Sequence, residues 1–193
     1  MNKLPRSFYE RADVTAVARE LLGKKLVTRF GDVTTAGIIT ETEAYEGAGD
    51  RASHAYGGKI TPRNEVMYGP AGFAYVYLCY GIHHLFNVVT NMKGVAHAVL
   101  VRAIHPVEGL DTMRERRHQT KLTTGGPGTL TQALGILTKH SGTDLLGDLI
   151  TIEDTDLRIS ERSIIIGPRI GVDYAKEDAL LPYRYHFDPH ILA

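Results

Sequence analysis

The chain has 193 residues, of which 43% are hydrophobic and 23% charged, and these values suit one soluble globular domain, residues 1–193. Its formal net charge is zero, so the bulk composition indicates no nucleic-acid partner, and its one cysteine, Cys79, excludes an internal disulfide and a cysteine-rich zinc site. No apolar run resembles a signal peptide or approaches the length of a membrane span, so we expect a cytoplasmic protein with no membrane partner.

The first 45 residues predict one helix and two strands. Residues 13–23 carry apolar side chains at i, i+3, i+4, i+7 and i+8 after a candidate N-cap, Asp13, and a glycine ends the pattern. Residues 25–30 and 35–44 flank a Gly-Asp turn, and the second run is rich in Thr and Ile, so both are predicted strands.

A long loop and three further strands are predicted in the middle of the chain. Residues 46–72 are glycine-rich and show little periodicity, which is typical of an ordered functional loop. Strands are expected at 73–78, 86–90 and 98–104, and Pro106 is expected to end the last of them.

The C-terminal half mixes short helices and strands. We expect a polar helix at 109–117, a glycine-rich loop at 123–128, the helix at 129–137 that this loop opens, and late strands at 149–153 and 164–166. Because strands and helices do not alternate regularly, the α+β class is favoured over a parallel βαβ sheet.

Two carboxylates and a phenol share one face of the second predicted strand. Side chains alternate with a period of two along a strand, which puts Glu41, Glu43 and Tyr45 on the same side. Such a face makes a poor core. It is consistent either with an exposed edge strand, where charged residues are common, or with a functional site.

Three tyrosines fall within the run F-A-Y-V-Y-L-C-Y-G at 73–81. Tyr75 and Tyr77 share one face of the predicted strand, so Tyr77 can line a pocket. Gly81 lets the chain turn at the strand end, so Tyr80 is expected to project from a tip. The alternative is that these are core tyrosines with satisfied hydroxyl groups.

The nine histidines do not form a recognisable metal motif. His54 lies in the long loop and could act as a base, a ligand or a stacking ring. His83 and His84 are adjacent, so on a strand they point apart, and there is no H-E-x-x-H run. We therefore expect no metal and no other cofactor.

Two features could bind the phosphate groups of a nucleic acid. The run T-T-G-G-P-G-T at 123–129 opens a helix, where backbone N–H groups and the helix dipole attract anions, and it is not a Walker A loop. Basic residues outnumber acidic ones between 51 and 125, and the balance reverses between 144 and 178. The protein can therefore carry one basic and one acidic face, although chance unevenness gives the same counts.

Several of these segments together resemble the alkyladenine (3-methyladenine) DNA glycosylase family. The resemblance runs from about Phe8 to Phe187 and includes Asn87. The matching motifs are E-T-E-A-Y at 41–45, S-H-A at 53–55, T-P-R-N at 61–64, Y-V-Y-x-x-Y-G at 75–81, V-L-V-R-A at 99–103, G-P-G-x-L-x-Q-A-L at 126–134, and R-I-G-V at 169–172, which is similar to a late strand of the family.

The resemblance implies a monofunctional DNA glycosylase that acts on double-stranded DNA with damaged purines, and by default we expect a monomer. Such an enzyme flips the damaged base out of the duplex and hydrolyses its N-glycosidic bond, leaving an abasic site. The expected substrates are of the 3-methyladenine, 7-methylguanine, hypoxanthine and ethenoadenine class. The implied fold is one α+β domain with a mixed, curved β-sheet, flanking helices and a DNA-inserting β-hairpin.

The resemblance also implies roles for individual residues. Glu43 positions and deprotonates the attacking water, and Arg102 helps to hold that water or the target phosphate. The flipped base lies between Tyr45, His54 and Tyr77. Three further roles are expected: exclusion of the 2-amino group of normal guanine by Asn87, insertion of Tyr80 into the DNA stack, and contacts to the DNA backbone from Arg63, Gly126, Gly128 and Thr129.

Two other functions remain open from the residues alone. A glycosidase could use Glu41 and Glu43 as an acid–base pair on a sugar or a free nucleoside. A binding module without enzymatic activity could use the tyrosine strand as a stacking platform for nucleic acid.

Overall fold

One sheet of eight strands organises the part of the chain that the computed structural model describes, residues 2–192. Four short α-helices accompany it, together with several single-turn 3₁₀ segments. The α-helices are α1 Arg6–Tyr9, α2 Val14–Glu20, α3 Leu110–Arg117 and α4 Pro127–Leu134. The strands are β1 Lys25–Phe30, β2 Val33–Tyr45, β3 Ala74–Cys79, β4 His83–Thr90, β5 His97–Glu108, β6 Ile150–Glu153, β7 Ile165–Gly167 and β8 Arg184–His186. None of these helices has the length and apolar character needed to cross a membrane.

The sheet is curled and antiparallel. Its main strand order is β3-β4-β5-β2-β1-β6, and β8 pairs with both β2 and β7. The α+β class is therefore confirmed, but the expectation of a mixed sheet was wrong, since every strand pair within residues 2–192 is antiparallel. Neighbouring strands β1/β2 and β3/β4 are joined by tight turns, whereas a parallel pair would need a crossover of a dozen or more residues.

Strand β5 and helix α4 differ from the predicted bounds for physical reasons that the structure shows. Strand β5 continues past Pro106, which pairs with Gly37 at a register shift, and a strand tolerates a residue without an N–H group at such a bulge. Helix α4 begins at Pro127, where a missing N–H group costs little, and it ends at Leu134 because Gly135 takes the left-handed conformation.

The core lies on the side of the sheet that α2 and α4 cover. Two further register shifts in β2, one on each side of Glu41, set which of its side chains face these helices. Ile39 and Ala44 join the apolar core, and the Thr42 hydroxyl donates to the carbonyl of Ala18 in α2 at 2.8 Å. The alternate residues of β2, with their carboxylates and phenol, therefore face the opposite side of the sheet.

Candidate active site

A cavity of about 500 Å³ opens on one side of the sheet, and Pro127 at the start of α4 is among the residues that line it. Strands β3, β4 and β5 form its base, and its walls come from the loop 46–72 and from the segment that follows β7. Seven of the side chains expected at the site line it: Tyr45, His54, Arg63, Tyr77, Tyr80, Asn87 and Arg102. A volume of this size fits a flat heteroaromatic base with part of its sugar.

Glu43 lies directly behind the wall of this cavity, and its side chain has no exposed surface. The Tyr45 hydroxyl donates to its Oε2 at 2.8 Å, and the backbone N–H of Ile170 donates to its Oε1 at 2.8 Å. The Arg102 guanidinium lies 3.3 Å from the same Oε1. All three partners line the cavity, so they lie between the carboxylate and the cavity.

The surroundings of Glu43 make it a stronger base than an exposed carboxylate. Burial raises its pKa, while the Arg102 charge and the hydrogen bonds from Ile170 and Tyr45 oppose that rise. A raised pKa combined with hydrogen bonds that favour the ionised form is the usual environment of a general base.

The edge-strand explanation for the carboxylates of β2 is wrong. At Glu41 and Glu43 the strand has a hydrogen-bonded neighbour on each side, β5 and β8. Both carboxylates contact Arg102, which confirms that they share a face. Charged groups enclosed in this way between two strands do not form a solvated edge.

Aromatic rings form one wall of the cavity. The ring of His54 meets that of Tyr77 edge-on, with centroids 4.5 Å apart, and Tyr75 lies 5.5 Å from Tyr77. The Tyr75 hydroxyl and His54 Nδ1 share a hydrogen bond of 2.8 Å. Burial and the nearby Arg63 charge lower the pKa of His54 to about 4, so its imidazole is neutral at neutral pH. The wall is therefore aromatic, and it carries no charge at the His54 ring.

A buried ion pair supports the ring of Tyr45. The Arg169 guanidinium lies over that ring, 4.8 Å from its centroid, and makes a two-point salt bridge to Asp50. Neither residue was expected at the site. Residues 169–172 were expected to form a strand, but β7 ends at Gly167. The segment instead places the Arg169 side chain against Tyr45. Its Ile170 N–H donates to Glu43, so that N–H is not available for pairing with a strand.

Asn87 and Tyr80 lie at opposite depths of the cavity. Asn87 is buried, and its amide nitrogen donates to the carbonyls of Tyr75 and Leu85 at 3.1 and 3.3 Å, which fixes its orientation. Tyr80 lies at the rim, at the tip of the β3–β4 hairpin, and is 90% exposed. Its φ of 51° is in the left-handed region, which is uncommon for an aromatic residue, and Gly81 follows it at 74°.

The expected DNA-backbone residues occupy two different environments. Arg63 lies in the cavity wall, with its guanidinium 5.0 Å from the centroid of Tyr77. The other three lie at the start of α4, where the Thr129 hydroxyl accepts from Gly126 N–H at 3.0 Å. A Cβ atom at Gly128 would lie 2.8 Å from His83 Nδ1, so glycine allows the helix to pack against the hairpin. This loop and Tyr80 therefore lie on the same side of the molecule.

The histidines do not gather around a common point. His84 Nδ1 accepts a hydrogen bond from the N–H of Thr138 at 3.1 Å, whereas His83 packs against α4. Within residues 2–192, no three His, Cys, Asp or Glu side chains come together as ligands for a metal ion.

The chain is similar to known proteins along almost its whole length. Residues 7–190 match the family described as Methylpurine-DNA glycosylase (MPG). Proteins provisionally named 3-methyladenine DNA glycosylase in Bacillus mycoides (strain KBAB4) and Bacillus thuringiensis (strain Al Hakam) are each 44% identical over 197 residues, which covers 96% of this chain and 96% of the relative. A Bacillus cereus (strain G9842) protein of the same name is 45% identical with the same coverage. The chain therefore belongs to the methylpurine-DNA glycosylase family.

Proposed function

We propose that this enzyme, a monofunctional hydrolase of N-glycosyl bonds by its family, excises alkylated or deaminated purines by turning the damaged nucleotide into the aromatic cavity. The expected substrates are duplexes with 3-methyladenine, 7-methylguanine, hypoxanthine or ethenoadenine. One observation carries the proposal: Glu43 is buried directly behind the wall of a cavity that Tyr45, His54 and Tyr77 line. This arrangement joins a base-stacking site to a general base.

The chemical step needs one carboxylate. The oxygen of a water molecule forms a bond to C1′ of the deoxyribose, Glu43 takes the proton of that water, and the bond from C1′ to the purine nitrogen breaks. A 3- or 7-alkylated purine carries a positive charge, so it leaves as a neutral base with the bonding electron pair. Hypoxanthine and ethenoadenine are neutral while attached, so a ring nitrogen of the leaving base takes a proton from water as the bond breaks. The transition state resembles an oxocarbenium ion, which a nearby carboxylate stabilises.

The hydrogen bonds of Glu43 leave one position for the attacking water. A carboxylate offers about four acceptor sites. The N–H of Ile170 occupies one on Oε1, the Arg102 guanidinium lies beside the same oxygen at 3.3 Å as an ion pair, and Tyr45 occupies one on Oε2. The remaining site on Oε2 is the one we assign to the water. Because the side chain is fully buried, water reaches it when Tyr45, Arg102 or Ile170 shifts during substrate binding.

The aromatic wall supplies the binding energy for the flipped base. Stacking on aromatic side chains contributes ~1–3 kcal/mol per base, which is comparable with the few kcal/mol that flipping costs. Burial keeps the phenol of Tyr77 protonated and the imidazole of His54 neutral, so neither of these rings repels a cationic base. The fixed amide of Asn87 leaves little space beside the base, which would disfavour the 2-amino group of guanine.

Incubation with damaged duplexes tests this function directly. Duplexes with one 3-methyladenine, hypoxanthine or ethenoadenine are incubated with the enzyme, and alkali then cleaves any abasic sites. We expect cleavage at the lesion and none in an undamaged duplex. The matching free nucleosides are incubated in parallel. Hydrolysis of these without any duplex excision would contradict the proposal and support a glycosidase.

Tyr45→Phe should move the acidic limb of the rate profile to higher pH. The Tyr45 hydroxyl stabilises ionised Glu43 and lowers its pKa, so its removal raises that pKa. A hydrogen bond to a charged group contributes about 1.5 kcal/mol, which corresponds to a shift of roughly one pH unit. The single-turnover excision rate is measured from pH 4 to 9. Tyr183→Phe, which removes a hydroxyl bound to the exposed Glu46, serves as the control. An acidic limb that Tyr45→Phe leaves in place would contradict this role.

Excision should not depend on a metal ion. The proposed step uses water, one carboxylate and a leaving group that needs no Lewis acid. We expect equal rates before and after dialysis against EDTA. A loss of activity that zinc or magnesium restores would overturn the mechanism.

A further inference from the structure

Glu41 lies in a cluster of two carboxylates and two guanidinium groups behind the cavity. Its Oε1 accepts from Arg102 Nε at 3.1 Å and from Arg184 Nη1 at 3.1 Å. The side chains of Glu41, Arg102 and Arg184 are 16%, 12% and 22% exposed. These side chains are mostly buried, unlike those of surface ion pairs, so the surrounding fold determines the geometry of their contacts.

Arg102 connects the two carboxylates. Its Nε faces Glu41 while its Nη1 lies 3.3 Å from Glu43 Oε1. A guanidinium group is planar, so a bond at Nε fixes the direction in which the Nη atoms point. Without that bond the long side chain is free to rotate away from Glu43. Arg102 therefore links Glu41 to Glu43, because each of the two carboxylates contacts the same guanidinium group.

Arg184 connects the same cluster to the segment that holds Glu43 from the other side. Its Nε donates to the carbonyl of Pro168 at 2.9 Å. Two residues later, the N–H of Ile170 donates to Glu43 Oε1. Glu41 therefore binds both Arg102 on β5 and Arg184 on β8. Arg102 contacts Glu43 directly, and Arg184 contacts the segment that does.

We propose that Glu41 is a positioning residue, which directs Arg102 at Glu43 and so keeps the catalytic carboxylate ionised and correctly oriented. This inference rests on the proposed role of Glu43. Glu41 does not touch the substrate, because Arg102 lies between it and the cavity.

The charges around Glu43 explain what a loss of this anchor would do. Burial opposes ionisation of Glu43, and Arg102 is the largest influence that favours it. Other groups that interact with Glu43 electrostatically are Glu41, Tyr45, Arg169 and Tyr174. If Arg102 turns away, the pKa of Glu43 rises, and the protonated form cannot accept a proton from water. The direct charge of Glu41 acts in the opposite direction, since it raises the pKa of Glu43.

Two substitutions separate positioning from charge. Glu41→Ala removes the acceptor for Arg102 Nε, so we expect the single-turnover rate to fall by about 100-fold, the effect of a misplaced catalytic group. Its affinity for the lesion duplex should stay within about threefold of wild type, and its acidic limb should move to higher pH. Glu41→Gln keeps an acceptor oxygen but removes the charge. Its rate should lie within about tenfold of wild type, with an acidic limb that stays in place or moves to lower pH.

Each outcome bears on the proposal. Equal rates and equal acidic limbs for Glu41→Ala and Glu41→Gln would overturn it, because a positioning role requires the glutamine to rescue. A melting curve shows whether Glu41→Ala folds. If it does not, Glu41→Gln alone decides the question, and an upward shift of its acidic limb overturns the proposal. Glu46→Ala removes an exposed carboxylate just after β2 and is the matched control. Its excision rate and pH profile should resemble those of wild type.

Failure of this inference can be distinguished from failure of the proposed function. Glu43→Gln is measured in the same series. If Glu43→Gln retains the wild-type rate, the proposed role of Glu43 fails. If Glu43→Gln is inactive while both Glu41 variants match wild type in rate and pH profile, the positioning role of Glu41 alone is wrong.

Discussion

Glu43→Gln is expected to lower the single-turnover excision rate by about three orders of magnitude, the usual contribution of a general base. The amide has the same shape as the carboxylate. Its oxygen can accept from Ile170 and Arg102, and its NH₂ group can donate to the Tyr45 oxygen, so the buried site stays satisfied. It cannot take a proton from water. The melting temperature and the affinity for a lesion duplex should therefore change little.

The measurement uses excess enzyme over a duplex with one lesion, so that the rate reports the chemical step. Affinity is measured separately by a mobility shift. Glu46→Gln, an exposed carboxylate in the same part of the chain, provides the control for loss of one negative charge. A Glu43→Gln rate within about tenfold of wild type would remove Glu43 from the mechanism.

Tyr80→Ser is expected to weaken the flipped complex without affecting the stability of the protein. The ring is 90% exposed at the tip of the hairpin, so little protein packing is lost. Replacement of a base in the stack by this ring should contribute ~1–3 kcal/mol, which corresponds to a loss of about five- to 150-fold in affinity for the flipped state. Tyr77→Ser should be less stable, because its ring packs against His54 and Tyr75.

Thermal melting of both variants reports burial, and 2-aminopurine placed beside the lesion reports flipping through its fluorescence. We expect normal melting and reduced fluorescence for Tyr80→Ser. The chemical step on an already extruded base should be nearly unchanged, so the excision rate at saturating enzyme should fall only in proportion to the flipped fraction. A Tyr80→Ser protein that melts early and still flips the lesion normally would place this tyrosine in the core and leave the inserting residue unidentified.

Local patterns were sufficient for much of the fold. The first predicted strand, 25–30, has the observed bounds of β1, and the alternation along β2 put Glu41, Glu43 and Tyr45 on one face. Such features depend on side-chain periodicity and nearby turns, which the sequence contains directly. Two short elements, α1 and β8, were not predicted, because R-S-F-Y and R-Y-H are too short for a periodic signal and, unlike I-I-G in the equally short β7, contain no aliphatic residue.

Long-range partners explain what the sequence could not reveal about the site. Arg169 and Asp50 are 119 residues apart, and neither lies in a periodic element, so their salt bridge under Tyr45 has no local signature. The function of Glu41 was ambiguous for the same reason. Whether β2 is an edge depends on its pairing with β5 and β8, and those contacts appear only in the folded sheet.

The most direct test records flipping and cleavage together for wild type and Glu43→Gln. A duplex with 2-aminopurine beside the lesion is mixed with excess enzyme, and fluorescence and abasic-site formation are followed in the same reaction. We predict that both proteins give the same fluorescence rise, and that abasic sites form about 1000-fold more slowly with Glu43→Gln. A variant that shows no fluorescence rise, or one that cleaves at the wild-type rate, would contradict the assignment of Glu43 to the chemical step in this cavity.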